Sequence, residues 1–235
     1  MKQLLPRSGS VVLASLFAWA CGATVQEGVS VEVAATTEPL LRDAAFETEA
    51  GYQVRVDGAW VTNAEVELEP CEGALSALWD WVVPQAHAHG TSTPTLLADP
   101  VVQALLPGGE VVLGALAPPA GTYCSVRYRV DVADSDAAGL DAAPELVGLS
   151  LLVRGSFRLP EQDWEDFEIT SSNAFEVERA PLTLSLGARQ RTARVTIRQD
   201  PSAWLDSLEF LGSSPQQWEE ALRLGAQAAV RIDVE

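Results

Sequence analysis

From about residue 50 onward, apolar and polar positions alternate with a period of two, the mark of strands with one buried face. Gln53-Val54-Arg55-Val56 is one such run. Ala64-Glu65-Val66-Glu67-Leu68-Glu69 is the cleanest, with Ala64, Val66 and Leu68 on one face and three glutamates on the other. Gly58 stands between the two, so they read as a hairpin. The run from Tyr123 to Val132 puts Cys124, Val126, Tyr128, Val130 and Val132 in one row, and Ser125, Arg127, Arg129 and Asp131 in the other. Leu149, Leu151, Val153, Phe157 and Leu159 mark another strand, with Gly155 as a bulge or close packing point. Phe175 to Glu178, Leu182 to Leu186, Ala193 to Ile197 and Val230 to Val234 follow, punctuated by Pro and Gly.

Short strands at regular spacing with turn signals between them predict an all-β, antiparallel β-sandwich of Ig-like type. Two helices near the C-terminus interrupt the pattern. Asp200-Pro201 is a cap followed by proline at the first helical position, and Trp204, Leu205 and Leu208 share a face. Ser214-Pro215 repeats the signal, with Trp218, Ala221 and Leu222 as the apolar face and Gly225 as the stop. No long linker or internal repeat divides residues 45–235, which read as a single domain.

The first twenty residues follow a different logic. Lys2 and Arg7 precede an apolar run from Val11 to Ala20, followed by Cys21, Gly22 and Ala23. This is a bacterial export signal, too short for a membrane-spanning helix. Ala18-Trp19-Ala20 satisfies the small-x-small rule of ordinary signal peptidase. A Cys after Ala20 also resembles a lipobox, and lipidation of Cys21 is the reading adopted. Without lipid, Cys21 is an odd thiol in an oxidising compartment. The mature protein is therefore expected in the bacterial cell envelope, as a periplasmic or outer-membrane lipoprotein held by that anchor. Residues 21–44 have no core pattern beyond Val29, Val31 and Val33, and read as a tether or a first edge strand.

Composition sharpens this picture. The 235-residue chain is 47% hydrophobic, enough for a packed core. Its net charge is −18, and loss of the signal removes two further positive charges. So negative a surface repels nucleic-acid backbones and anionic headgroups, which excludes nucleic acid as a partner. With Cys21 set aside, Cys71 and Cys124 are an even pair in a compartment where disulfides persist, and a disulfide is expected. The alternative is two unpaired buried thiols.

Raw material for catalysis is scarce. There is no Gly-x-Ser-x-Gly, phosphate loop or His-Glu-x-x-His, so an enzyme is not expected. The two histidines of the whole chain are His87 and His89, in Gln85-Ala86-His87-Ala88-His89-Gly90. Residues i and i+2 of an extended segment point the same way, so two imidazoles can share a metal, copper or zinc. The plainer reading is a polar loop after Pro84. A blue-copper set lacks its thiolate and methionine, which leaves two His plus an oxygen, a nitrogen or a modified side chain. Trp79 and Trp81 precede the pair, as neighbours of a metal or as packing aromatics. Trp60, Trp164, Trp204 and Trp218 read as packing residues. Asp134, Asp136, Gly139 and Glu145 occupy positions 1, 3, 6 and 12 of an EF-hand-like loop. Ala138 holds position 5 and no helix precedes, so an acidic solvent loop is the better reading.

The order of these segments resembles a bacterial family. The lipoprotein signal is followed by Gly51-Tyr52-Gln53-Val54, the Ala64–Leu68 strand and Cys71. Then come the His87/His89 segment, Pro118-Pro119-Ala120-Gly121-Thr122-Tyr123-Cys124, Ala133-Asp134-Ser135-Asp136 and Pro201-Ser202-Ala203-Trp204-Leu205-Asp206. Together they are similar to the MbnP-like exported copper-binding proteins, related to the surface protein MopE. The resemblance implies a β-sandwich that binds copper. In some members two His act with a tryptophan oxidised to kynurenine, a modification tied to a di-haem peroxidase partner. It thus points to copper at His87 and His89, with Trp79 or Trp81 nearby. The chain departs in having no Trp-x-His, since Trp81 stands six residues before His87. The competing expectation is a metal-free interaction or structural module of the envelope.

Overall fold

A computed structural model describes residues 28–39, 45–71 and 92–235. Among the described residues the fold is all-β, with two α-helices near the C-terminus. One sheet contains β1 (Ser30–Thr37), β6 (Gly109–Leu116), β12 (Thr192–Gln199) and β13 (Arg231–Val234), in the order β13-β12-β1-β6. The other contains β2 (Phe46–Glu47), β3 (Gln53–Pro70), β4 (Leu96–Leu97), β5 (Val101–Ala104), β7 (Gly121–Val130), β8 (Leu151–Arg158), β9 (Glu165–Ser171), β10 (Phe175–Arg179) and β11 (Leu184–Leu186). Its main path is β10-β7-β3-β8-β9; β2, β4 and β5 add to β3, and β11 adds to β7. Val31, Val33, Val195 and Ile197 of the first sheet share one core with Val54, Leu68, Val126 and Val153 of the second. Pairing is antiparallel except between β1 and β12, which run parallel.

The β1 strand corrects the expectation of a tether or edge strand. It lies between β12 and β6, with Val31, Val33, Ala34 and Ala35 fully buried. Its alternation breaks after Val33, where the register against β6 shifts and Ala34 and Ala35 are both buried.

The expected hairpin at Gly58 is also replaced. Gln53 to Pro70 form one continuous 18-residue strand, the spine of the second sheet. Gly58 marks a register shift against β8 instead of a turn. A Cβ there would lie 2.2 Å from the Trp60 ring, so that ring occupies the space a side chain would need. Gly155 is a close packing point, as expected: its Cβ would fall 2.0 Å from the Arg55 carbonyl oxygen. Ala59 and Val61–Ala64 are buried throughout, because a second layer covers the outer face here. That layer is a small cluster of Val102, Ala133, Ala137, Ala143, Leu146 and Leu152, against which Trp60 packs.

On β7 the alternation slips at its start. A register shift against Glu69 and Pro70 turns Tyr123 inward, and its hydroxyl donates to the Pro119 carbonyl at 2.7 Å. Ser125 is buried and Cys124 only half-buried, the reverse of the expected rows. The strand ends at Val130, leaving Val132 exposed.

The helices are α1 (Pro201–Leu205) and α2 (Pro215–Ala229). Asp200 caps α1 by accepting from the Ser202 and Ala203 amides. Ser214 and Gln217 form a reciprocal capping box on α2. Gly225 does not stop α2, which continues to Ala229. A Cβ at Gly225 would lie 2.6 Å from the Trp204 carbonyl oxygen, so glycine is there for helix contact. Trp204, Leu205 and Leu208 are buried as expected, while Leu222 and Ala226 carry the buried face of α2. The helix packs against β9 and β10, the two ends of the curled sheet, and so shields edges that would otherwise invite pairing.

Candidate metal site and its surroundings

His87, His89, Trp79, Trp81 and Cys21 lie outside the described residues. The connection that carries the histidines is defined at both of its ends. It leaves β3 at Cys71, whose amide donates to the Thr122 carbonyl at 3.0 Å. Cys71 and Cys124 form a disulfide, Cα to Cα 4.7 Å, across 53 residues. Closing such a loop stabilises by about 4 kcal/mol in the chain-entropy model. The bridge joins the paired strands β3 and β7, so it fastens the end of one sheet.

The connection returns at Ser92. The Ser92 hydroxyl donates to Asp99 Oδ2 at 3.0 Å and accepts from the Ala98 amide at 3.1 Å. The Thr95 carbonyl accepts from the Leu68 amide at 2.9 Å, and β4 pairs Leu97 with Val66. Both ends of the histidine-bearing connection are therefore tied to the last third of β3.

Beside the return point is an open cleft of about 600 Å³, lined by Glu65, Asp99, Asp131, Asp134 and Asp136 among others. Asp134, though exposed, is raised from its ordinary value, by desolvation first, then by its hydrogen bond to Asp136 and the like charge there. Glu145 is drawn away by Arg154 and held below its ordinary value, by a backbone hydrogen bond first and by Arg154 second. The carboxylates at EF-hand positions 1 and 3 thus have a different partner from the one at position 12. Gly139 adopts φ +80°, and a Cβ there would meet the Val102 carbonyl oxygen at 2.4 Å. Its glycine is required by the strand beside it. Among the described residues no group of three or more His, Cys, Asp or Glu is arranged to hold a metal ion.

The described tryptophans are packing residues. Trp204 is buried, and the Trp218 Nε1 donates to the Glu209 carbonyl at 3.0 Å. Trp60 lies under Arg154, while Trp164 is stacked by Arg55 at 4.0 Å and Arg158 at 4.5 Å.

One polar constellation escapes the sequence reading. Asn63, Gln103, Tyr128, Gln199 and Thr37 meet in the core between the sheets. The Tyr128 hydroxyl donates to Asn63 Oδ1 at 2.7 Å, and Gln199 Nε2 reaches both of those oxygens, at 3.0 and 3.1 Å. Asn63 Nδ2 donates to Gln103 Oε1 at 3.1 Å, and Gln103 Nε2 to Thr37 Oγ1 at 2.9 Å. Burial holds the Tyr128 phenol well above its ordinary range, against the opposing hydrogen bond from Gln199. The chain offers a faint signal for it: Gln199 keeps the parity of Val195 and Ile197, and Tyr128 that of Val126 and Val130. No family model, curated protein or solved structure matches this chain.

Proposed function

We propose that this chain is an exported, lipid-anchored protein of the bacterial envelope that holds a transition metal, copper first, through His87 and His89. Its role is capture or storage without turnover, with Trp79 or Trp81 beside the metal and the lipid on Cys21. One observation carries the reading. The chain's two histidines stand two residues apart in a connection with fastened ends, at Cys71 by the disulfide to β7 and at Thr95–Leu97 by pairing with β3. Fastened ends reduce the conformational freedom lost when two ligands are brought to one ion. Cys71 and Cys124 are spent on each other, so no thiolate of that pair competes with imidazole for copper.

The test is native mass spectrometry of the exported chain carrying Cys21→Ser, produced with copper present. The expected spectrum shows a copper adduct that disappears in the His87→Ala/His89→Ala variant, together with any oxidation of tryptophan. Unchanged copper binding in the double variant overturns the assignment. A bare mass with the disulfide intact overturns it too, and leaves a metal-free interaction module of the envelope.

A further inference from the structure

Negative charge is unevenly distributed over this chain. From Val111 to Val130 and from Ala180 to Gln199 there is no Asp or Glu, and these two stretches hold six of the fifteen basic residues. Four of the six, Arg127, Arg129, Arg194 and Arg198, are ion-paired with nearby carboxylates. Arg189 and Arg191 stand where the two stretches meet at one end of the fold. The β6–β7 connection (residues 117–120) and the β11–β12 connection (residues 187–191) lie at one end of the sandwich and line a shared hollow of about 230 Å³. The β11–β12 connection is a tight turn, with the Gly187 amide donating to the Gln190 carbonyl at 2.9 Å. It presents Arg189 and Arg191, both exposed, and Arg189 makes no ion pair with any described residue. Around them Ala117, Pro119, Ala120 and Ala188 are exposed, small and uncharged.

The N-terminal segment leaves from this same end. Gly28 and Val29 line the same hollow, and the Ser30 amide donates to the Arg191 carbonyl at 2.9 Å. Six residues lie between Cys21 and Gly28, so seven Cα-to-Cα steps join them. Fully extended, they span at most about 25 Å. A lipid on Cys21 would thus hold the arginine-bearing end near the bilayer, while the acidic remainder is repelled from an anionic surface.

We infer that this end of the sandwich, carried by Arg189 and Arg191, docks on anionic phospholipid headgroups and sets the orientation of the anchored domain. The inference rests on the lipid anchor of the proposed function. It also qualifies what net charge alone predicts, since the mean charge repels such a surface while two exposed arginines stand beside the departing N-terminus.

The experiment uses the exported chain, reconstituted by its own anchor into phosphatidylglycerol-containing or all-phosphatidylcholine vesicles. A fluorescent probe is attached at Ala188→Cys or, at the opposite end, at Gln162→Cys. Quenchers on the headgroups read proximity. Strong quenching is expected only for the Ala188 probe, only on anionic vesicles, and lost in 1 M salt. Arg189→Ala/Arg191→Ala should lower the docked-to-undocked ratio by roughly 30-fold, about 5-fold per arginine. Equal quenching of the two probes, or no difference between the two lipids, overturns the inference while the anchor stands. A chain that fails to float with vesicles and whose mass shows unmodified Cys21 overturns the anchor, and the inference with it.

Discussion

Strands β3 and β7 carry two polar systems on opposite faces, and their difference explains how this sandwich is held in register. Inside, Asn63 and Tyr128 join Gln199 and, through Gln103, Thr37, so five side chains, three from the second sheet and two from the first, close one network. Outside, Arg127 pairs with Glu67 at 3.2 Å, with Glu69 in closer contact and with Glu176 at 3.8 Å. The outer groups are about one-third exposed or more, so water and salt can replace each partner. The inner groups have no such substitute, and each broken bond leaves a buried donor or acceptor unsatisfied. The outer system has the more conspicuous charges, yet the inner one bears more on stability. It also fixes how one sheet sits on the other, since Thr37 and Gln199 belong to the first sheet and the remaining members to the second.

Breaking the inner system should have the largest effect. Asn63→Ala removes partners of Tyr128, Gln103 and Gln199 together and should destabilise by about 3 kcal/mol in urea unfolding. A loss below about 1 kcal/mol would mean that the network relaxes or hydrates without penalty. Tyr128→Phe should cost less, about 1–2 kcal/mol, because Gln199 keeps Asn63 as its other partner. It also sharpens the comparison through pH. The Tyr128 phenol is raised in the folded state, so its contribution is fully present below the ordinary phenol value near 10 and is lost as pH rises. Wild-type stability should therefore fall above pH 10 by up to about 1.4 kcal/mol per pH unit more than that of the variant. Parallel curves would show that the phenol is reached by water. Arg127→Ala on the outer face should change stability by less than about 1 kcal/mol, and the change should shrink in high salt. A larger loss would make the outer pairs equal partners of the inner ones.

Much of the architecture was legible because strands with one wet face write their period into the chain. β8, β10, β12 and β13, and the caps at Asp200 and Ser214, appear near their expected positions. Reading failed where one face is not simply wet or dry. Ala59–Ala64 lost its alternation beneath the second layer, and Gly58 then passed for a turn. β5, β6 and β9 went unread; in β6 the exposed Val112 breaks the alternation. Gly225 looked like a helix stop because a local signal cannot distinguish glycine at an end from glycine under a neighbouring backbone. For the candidate site, the Cys71–Cys124 bridge was accessible from cysteine count and compartment, and the His87/His89 pair from spacing. The inter-sheet network was hidden, because Asn, Gln and Tyr in a strand read as surface residues until both sheets are in place.

By itself, then, the sequence determined the β class, the capped helices and the even cysteine pair, all set by short-range periodicity, local hydrogen bonding and composition. The tertiary structure alone decided that β1 lies inside a sheet parallel to β12, that β3 is one unbroken spine, and that Arg189 and Arg191 share an end with the departing N-terminus. Each of these depends on contacts between residues dozens to more than a hundred positions apart. No local pattern encodes which distant partner will cover a given face.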